Sequence, residues 1–324
     1  MKIDSMYALK YIGSKRRMTG VLALLIPKAC TTYVEAYCGS AALALNTGRF
    51  ERKILNDLNP HMANFWRVAS SPELAPILLE QLMATSYSQA LFQEAKAHRE
   101  DYGANRSDLV EWAADTYVLN WQSFNALGDN WRYVDPSPYY NHITNKVCGL
   151  PRILNELCQQ NIEVHNENAL DLLLDSGALE DDKTFIFLDP PYLEGLRSDG
   201  KLYQTDMEDV RDHIDLLNVI KTAKAKIVLS GYWSGRDDGT DLYDYYLLPH
   251  GWHRHLLGEY AKSCESGTGE KSQGAEWVWC NYDLQREAPR SLGYLKSLDD
   301  EQKSPCLRKW LALQSTSQKE GGRA

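Results

Sequence analysis

The chain has 324 residues, of which 44% are hydrophobic and 24% charged, an ordinary composition for a globular protein with one large core and a smaller module. No apolar run approaches the roughly 20 residues that cross a bilayer, and the N-terminus lacks a secretory signal, so we expect a cytoplasmic protein. The formal net charge of -9 disfavours a nucleic-acid partner, although a local basic groove would serve, and Lys10, Lys15, Arg16 and Arg17 form a candidate cluster.

The first strand-like run, residues 33–37, leads through a turn of small residues at 38–41 into a helical segment. Small residues let the backbone approach a ligand closely, as nucleotide-binding turns require, but an ordinary tight connection is an equally good interpretation. The next strand-like run, 53–56, ends at Asp57, about twenty residues beyond the first, where an acidic residue usually accepts ribose hydroxyls. The alternative role for Asp57 is a turn or a helix N-cap.

From about 60 to 149 the sequence is helical in pattern and rich in aromatic residues, and it interrupts the alternation of strands and helices. We expect an inserted helical module here, with Trp112 and Trp121 packed in its small core. Five further strand-like runs follow, at 162–165, 184–188, 226–230, 252–257 and 276–282.

Strands separated by helical segments such as 213–225 predict an α/β fold with a mostly parallel, doubly wound sheet of seven strands. The last run, 276–282, is expected to be a reversed final strand. Residues 286–324 are polar, and the end at 314–324 has almost no large apolar residue, so we expect a mobile tail.

The strip Asp189-Pro190-Pro191-Tyr192 directly follows the apolar run 184–188, and ligand sites of such sheets lie at the carboxyl ends of strands. An aromatic amine is a poor nucleophile because its lone pair is delocalised into the ring. A carboxylate and a prolyl carbonyl would each accept one amine hydrogen and aim that lone pair at a methyl donor, and Tyr192 would stack on a flipped base. The alternative is a Pro-Pro strand terminator.

Together these motifs resemble the Dam-like family of DNA adenine methyltransferases, from about Lys10 to Tyr282 and in the family's order. The resemblance implies a Rossmann-like methyltransferase sheet and transfer of a methyl group from S-adenosylmethionine, which becomes S-adenosylhomocysteine, to the exocyclic amine of adenine in double-stranded DNA. It divides the chain into a catalytic domain, a target-recognition insert and a tail, and we expect a monomer or weak dimer. These domains are 1–59 with 150–285, then 60–149, then 286–324.

The resemblance also implies roles for individual residues. The catalytic residues would be Asp189, Pro190, Pro191 and Tyr192. The residues expected to bind the cofactor are Tyr11, Gly13, Lys15, Glu35, Tyr37, Cys38, Gly39, Ser40, Asp57, Asn168 and Asp189. A flipped adenine looks the same in any sequence, so the insert is expected to read the neighbouring bases. The residues expected to contact DNA are Asn120, Gln122, Asn125 and Arg132 of the insert, and Arg197 and Tyr203 by likeness to phage-type members.

Two positions depart from the family pattern. Many relatives have a second glycine in the turn where this chain has Ala41, which is tolerable only if φ there is negative. Asn168 stands where relatives often carry an Asp, but its amide oxygen still accepts a hydrogen bond. Two alternatives stay open: a methyltransferase acting on another amine, in RNA adenine, cytosine or glutamine, and a DNA-binding protein that has lost catalysis.

The sequence predicts no metal site. Seven cysteines are scattered without a Cys-x-x-Cys pair, which favours reduced thiols over disulfides or zinc. His253 and His255 share one face of a strand-like run, a spacing compatible with a metal, but no acidic or cysteine ligand lies nearby in the sequence.

Overall fold

A computed structural model of the chain describes residues 6–11, 13–48, 50–101, 108–133, 149–192, 209–233, 241–261 and 273–289. The chain forms two compact units. The first unit consists of Met1–Asp4, Arg17–Ala36 and Leu170–Ala324, and the second of Ser5–Arg16 and Tyr37–Ala169. The tail predicted to be mobile lies outside the described residues.

The sheet has seven strands within the described ranges, in the order β3-β2-β1-β4-β5-β7-β6. The strands are β1 (Thr32–Glu35), β2 (Arg52–Asn56), β3 (Ile162–His165), β4 (Thr184–Leu188), β5 (Lys226–Gly231), β6 (His253–Ala261) and β7 (Gln273–Cys280). The pairs β1–β4, β2–β3 and β4–β5 are parallel, whereas β7 runs antiparallel to both β5 and β6. The predicted seven-stranded, mostly parallel sheet with a reversed last strand is confirmed.

The first unit is built around β4, whose five residues are all buried. Its helices are α1 (Thr19–Leu25), α8 (Ala169–Asp175), α9 (Val210–Ile220), α10 (Leu242–Leu247) and α11 (Leu284–Glu287). Helix α9 begins where the Asp209 side chain accepts a hydrogen bond from the backbone of Arg211, and it buries Leu217 and Ile220. It therefore starts and ends earlier than the predicted segment 213–225.

The second unit contains α2 (Ala42–Asn46), α3 (Pro60–Ala69), α4 (Ala75–Ala84), α5 (Gln89–Asp101), α6 (Leu109–Gln122) and the helical residues 149–158, here α7. Helix α3 begins with Pro60 behind an Asn59 cap, and α6 begins where Asp108 accepts from two backbone amides. The described part of the predicted insert is thus largely helical.

Aromatic residues join these helices. The rings of Phe65 on α3 and Tyr117 on α6 stack with centroids 6.3 Å apart. Trp121 is buried and donates its indole hydrogen to the Ala8 carbonyl at 2.8 Å, while the Trp112 indole donates to Nδ1 of His61 at 2.8 Å. Trp121 is buried as expected, but its indole bonds to the N-terminal segment, outside the predicted insert, and Trp112 is half-buried.

Candidate active site

The predicted catalytic strip begins where β4 ends. Residues Leu188 and Leu229 pair in the parallel register of β4 and β5, and Glu35 pairs with Phe187 across β1 and β4. Because parallel strands point the same way, Glu35, Asp189 and Ser230 emerge at one edge of the first unit's strands. The side chain of Glu35 is buried and accepts a hydrogen bond from the Tyr33 hydroxyl at 2.7 Å.

The Tyr192 hydroxyl lies in a cluster of oxygen atoms. It is 3.1 Å from Oδ1 of Asp189, 3.1 Å from Oγ of Ser230 and 2.9 Å from Oε2 of Glu276. Burial, and then the charges of Asp189 and Glu276, raise the pKa of Tyr192 well above its usual value. The hydroxyl therefore keeps its proton at neutral pH and acts as a hydrogen-bond donor. The ring lies 4.4 Å from that of Tyr232, centroid to centroid.

The turn predicted to bind the cofactor occupies the second unit and contains two residues in the left-handed region. Gly39 has φ +46° and Ala41 has φ +47°. The negative φ that we took as the condition for an alanine at position 41 is therefore not met. Alanine is tolerated because its side chain is small and because backbone hydrogen bonds close the turn on both sides. The Ala41 amide donates to the Cys38 carbonyl at 2.6 Å, and the Leu45 amide donates to the Ala41 carbonyl at 3.0 Å.

Neighbouring side chains hold this turn in place. Oδ2 of Asp57 accepts from the Gly39 amide at 2.6 Å, and its Oδ1 accepts from the Asn59 amide at 2.9 Å. The buried indole of Trp66 donates to the Gly39 carbonyl at 2.8 Å. Burial, opposed by those two backbone hydrogen bonds, raises the pKa of Asp57 to about 6. Asp57 thus helps to form the turn, the role that we weighed beside ribose binding.

The N-terminal segment packs beside the turn. A Cβ atom added to Gly39 would lie 3.2 Å from two atoms of the Tyr11 ring, so only glycine fits both the contact and the positive φ. Oγ of Ser14 and Oγ of Ser40 are 2.8 Å apart. Lys15 is buried, and its ammonium group donates to the Gly13 carbonyl at 3.2 Å. The structure therefore gathers Tyr11, Lys15 and the turn in one place.

The other predicted cofactor residues of the second unit lie in the turn, next to it, or after β3. Cys38 and Ser40 are buried in the turn, and Tyr37, half-buried, precedes it. Asn168 is exposed and follows β3, the parallel neighbour of β2 whose Asn56 precedes Asp57.

Two amides that we expected to contact DNA have structural roles instead. Asn120 is 7% exposed, and its side chain accepts from the Lys10 amide at 2.8 Å and donates to the Lys10 carbonyl at 2.6 Å. Gln122 is 4% exposed and bonds in the same two-sided way to the backbones of Ser88 and Ser86. Each amide is buried and bonds to backbone groups through both its oxygen and its nitrogen, so neither is presented to a base edge.

The remaining predicted DNA contacts have different outcomes. Arg132 is exposed. The side chain of Asn125 and all of Arg197 and Tyr203 lie outside the described residues. In the basic cluster, Lys15 is buried and Lys10 lies over the Trp121 ring at 4.3 Å, where burial and then Arg132 lower the pKa of Lys10 to about 8.

Sequence reasoning missed three partners that shape the two regions. Trp66 and Glu276 carried no motif, and Ser230 was noted only as a strand end. Each of the three acts through a contact that forms only on folding. The sequence could have pointed to them only as polar groups within otherwise apolar elements.

Within the described ranges, no three His, Cys, Asp or Glu side chains group as a metal site. No helix among these residues is both long and apolar enough to cross a membrane.

Comparison with known proteins defines the class of this site. Residues 11–254 match the D12 class N6 adenine-specific DNA methyltransferase family. This match covers more than half of the chain, so the chain belongs to that family and is an adenine-specific DNA methyltransferase. The expected Dam-like resemblance is confirmed, and membership of a methyltransferase family implies use of S-adenosylmethionine.

Individual relatives are more distant. The chain is 27% identical over 278 residues to the type II methyltransferase M.CviBI of Paramecium bursaria Chlorella virus NC1A, covering 79% of this chain and 92% of the relative. It is 25% identical to the modification methylase StsI of Streptococcus sanguinis, over 65% of this chain and 32% of the relative. It is 25% identical to the modification methylase LlaI of Lactococcus lactis subsp. lactis, over 85% of this chain and 43% of the relative. The chain therefore spans less than half of the last two relatives.

Proposed function

We propose that Asp189, Pro190, Pro191 and Tyr192 catalyse methyl transfer from S-adenosylmethionine to the exocyclic amine of an adenine flipped out of double-stranded DNA. The observation that carries this proposal is the position of the strip at the carboxyl end of the fully buried strand β4, beside the ends of β1 and β5. Ligand sites of open α/β sheets lie at such ends.

The strip prepares the amine for attack. The Asp189 carboxylate and the Pro190 carbonyl would each accept one amine hydrogen, which turns the nitrogen lone pair out of conjugation with the ring. Pro190 is buried and Pro191 half-buried, and both have a fixed φ, so the carbonyl is held rigidly. The Tyr192 ring, backed by Tyr232, supplies a surface on which the flipped base stacks.

The second unit has the groups that the cofactor requires. Bound S-adenosylmethionine supplies the methyl group. Asp57 has a buried carboxylate that would accept the ribose hydroxyls of the cofactor, and Asn168 has an amide oxygen that would accept from the amine of the cofactor's adenine. Gly39 has no side chain, so the Tyr11 ring packs directly against the backbone of the turn. We assign Tyr11, Lys15 and the turn to this binding role.

We propose that the loop after α6 contacts the duplex. Phe124 is 60% exposed and Tyr133 is 74% exposed, an unusual display for aromatic side chains. The loop is well supported: the Phe124 amide donates to Asn130 at 2.9 Å, and Arg99 pairs with Asp129 at 3.0 Å. A rigid loop with an exposed aromatic ring suits filling of the gap that a flipped base leaves.

The relatives StsI and LlaI are called modification methylases, which supports a restriction-modification role for this chain as well. Methylation of another amine and loss of catalysis are the competing functions, and the family match and the intact strip disfavour both.

One experiment separates these functions. Purified protein is incubated with labelled S-adenosylmethionine and either duplex DNA or RNA of the same sequence, and the nucleosides are identified by mass spectrometry. The proposal predicts label on the exocyclic amine of deoxyadenosine. Label on cytosine or on RNA would establish a different substrate, and no transfer would favour the silent DNA-binding protein.

A further inference from the structure

The Tyr192 hydroxyl lies near more hydrogen-bond acceptors than it can donate to. Two carboxylate oxygens, Oε2 of Glu276 at 2.9 Å and Oδ1 of Asp189 at 3.1 Å, face one phenolic proton. A hydroxyl donates a single hydrogen bond, so only one carboxylate can receive it at a time. The Ser230 hydroxyl, 3.1 Å away, can donate to the phenolic oxygen and leave its proton for a carboxylate.

Which of the two carboxylates accepts the hydrogen bond from Tyr192 matters for catalysis. If Tyr192 donates to Asp189, it draws negative charge from the carboxylate and takes one of its lone pairs, so Asp189 becomes a weaker acceptor for the adenine amine. If it donates to Glu276, the Asp189 carboxylate keeps its full strength as an acceptor for the amine. Glu276 is the closer of the two acceptors, is 9% exposed, and lies on β7, whose backbone is fixed by pairing with β5 and β6.

We propose that Glu276 is a positioning residue for methyl transfer: with Ser230 it directs the hydroxyl hydrogen of Tyr192 to Glu276 and not to Asp189, and it fixes the ring on which the target base stacks. This inference rests on the proposed role of Asp189 as the acceptor of an amine hydrogen. Glu276 acts through Tyr192 and does not itself contact substrate.

The raised pKa of Tyr192 supports this arrangement, because the phenol stays protonated and so has a hydrogen to donate. The register supports it too. Gly231 pairs with Trp277 across β5 and β7, so Ser230 and Glu276 approach Tyr192 from adjacent strands of the sheet.

The test compares Glu276→Gln and Glu276→Ala with wild type under saturating cofactor. The glutamine oxygen is a weaker, neutral acceptor, so we expect kcat to fall about fivefold in Glu276→Gln and by roughly tenfold or more in Glu276→Ala. The affinity for S-adenosylmethionine, measured by calorimetry, and the melting temperature of Glu276→Gln should stay unchanged. Asp215→Ala, which removes an exposed carboxylate on α9, is the matched control and should behave as wild type.

A second background distinguishes positioning from simple packing. In Tyr192→Phe the hydroxyl is absent, so adding Glu276→Gln should change kcat less than about twofold, because the two side chains act as one unit. A wild-type kcat in Glu276→Gln, or losses that multiply in the double variant, would overturn the inference. Asp189→Ala is measured in the same assay. If Asp189→Ala retains full turnover, the proposed function itself fails. If Asp189→Ala loses turnover while Glu276→Gln stays fully active, only the positioning role is rejected.

Discussion

Asp57 shows how one side chain joins turn geometry to the proposed ribose contact. Its two oxygens accept the amides of Gly39 and Asn59, and burial raises its pKa to about 6 from the ordinary value of 3.8. A carboxylate accepts hydrogen bonds at four lone-pair positions, so a ribose hydroxyl can still donate to it. The same residue therefore shapes the turn and remains available to a ligand.

This assignment predicts a pH dependence. Ribose hydroxyls donate to the ionised carboxylate, so cofactor binding favours ionisation and lowers the pKa. Affinity for S-adenosylmethionine should therefore be full well above pH 6 and weaken as the pH falls through about 6. Calorimetry between pH 5 and 8 checks this, with Asp57→Ala as reference: that variant should bind roughly tenfold to a hundredfold more weakly and lose the pH effect. Identical pH profiles in both proteins would remove Asp57 from the cofactor site.

Ala41 carries strain that glycine would relieve. A left-handed alanine costs about 1–2 kcal/mol, and glycine relieves this strain at an entropic cost of about 0.5–1 kcal/mol. We expect Ala41→Gly to raise the free energy of unfolding in urea by about 0.5–1 kcal/mol. Ala44→Gly, within α2, is the opposite control and should lower it by about 1 kcal/mol. Equal destabilisation by both changes would show that the turn has relaxed around Ala41, and it would contradict the strain that we assign to this residue.

Contacts that form only on folding limit what can be predicted from the sequence. The strip at 189–192 and Asp57 were predicted because each directly follows an apolar strand, and order along the chain determines strand ends. The backbone angle of Ala41 was missed because no residue pattern specifies it. Asn120 was misread because its partner, the backbone of Lys10, is 110 residues away in sequence.

At the scale of elements, the loop after α6 is the proposed contact with the duplex. Phe124→Ala should lower DNA affinity or kcat by roughly tenfold through loss of an inserted ring, with cofactor affinity unchanged. Met83→Ala removes an apolar side chain that is 68% exposed on α4 and serves as the control. Fluorescence of 2-aminopurine at the target position would report base flipping. A Phe124→Ala protein that flips and methylates normally contradicts the role of the loop.

At the scale of the whole molecule, we propose that the predicted insert 60–149 recognises the DNA sequence. The structure adds that α6 is joined to the N-terminal segment through Asn120 and Trp121, which bond to the backbones of Lys10 and Ala8. An exchange of the insert with that of a relative of different specificity should therefore include residues 5–16. Mapping of methylated adenines should then show the donor's sequence, with cofactor affinity preserved. A folded chimera that still methylates the original sequence would place recognition elsewhere.

The central claim is that Asp189 accepts an amine hydrogen in the transition state, and single-turnover methyl transfer by Asp189→Ala tests it most directly. Loss of an acceptor that acts in the transition state typically costs about a hundredfold or more in rate. We predict such a loss, with the melting temperature and calorimetric affinity for S-adenosylmethionine near those of wild type. A folded, cofactor-binding Asp189→Ala protein that transfers the methyl group at a near-normal rate would contradict the claim.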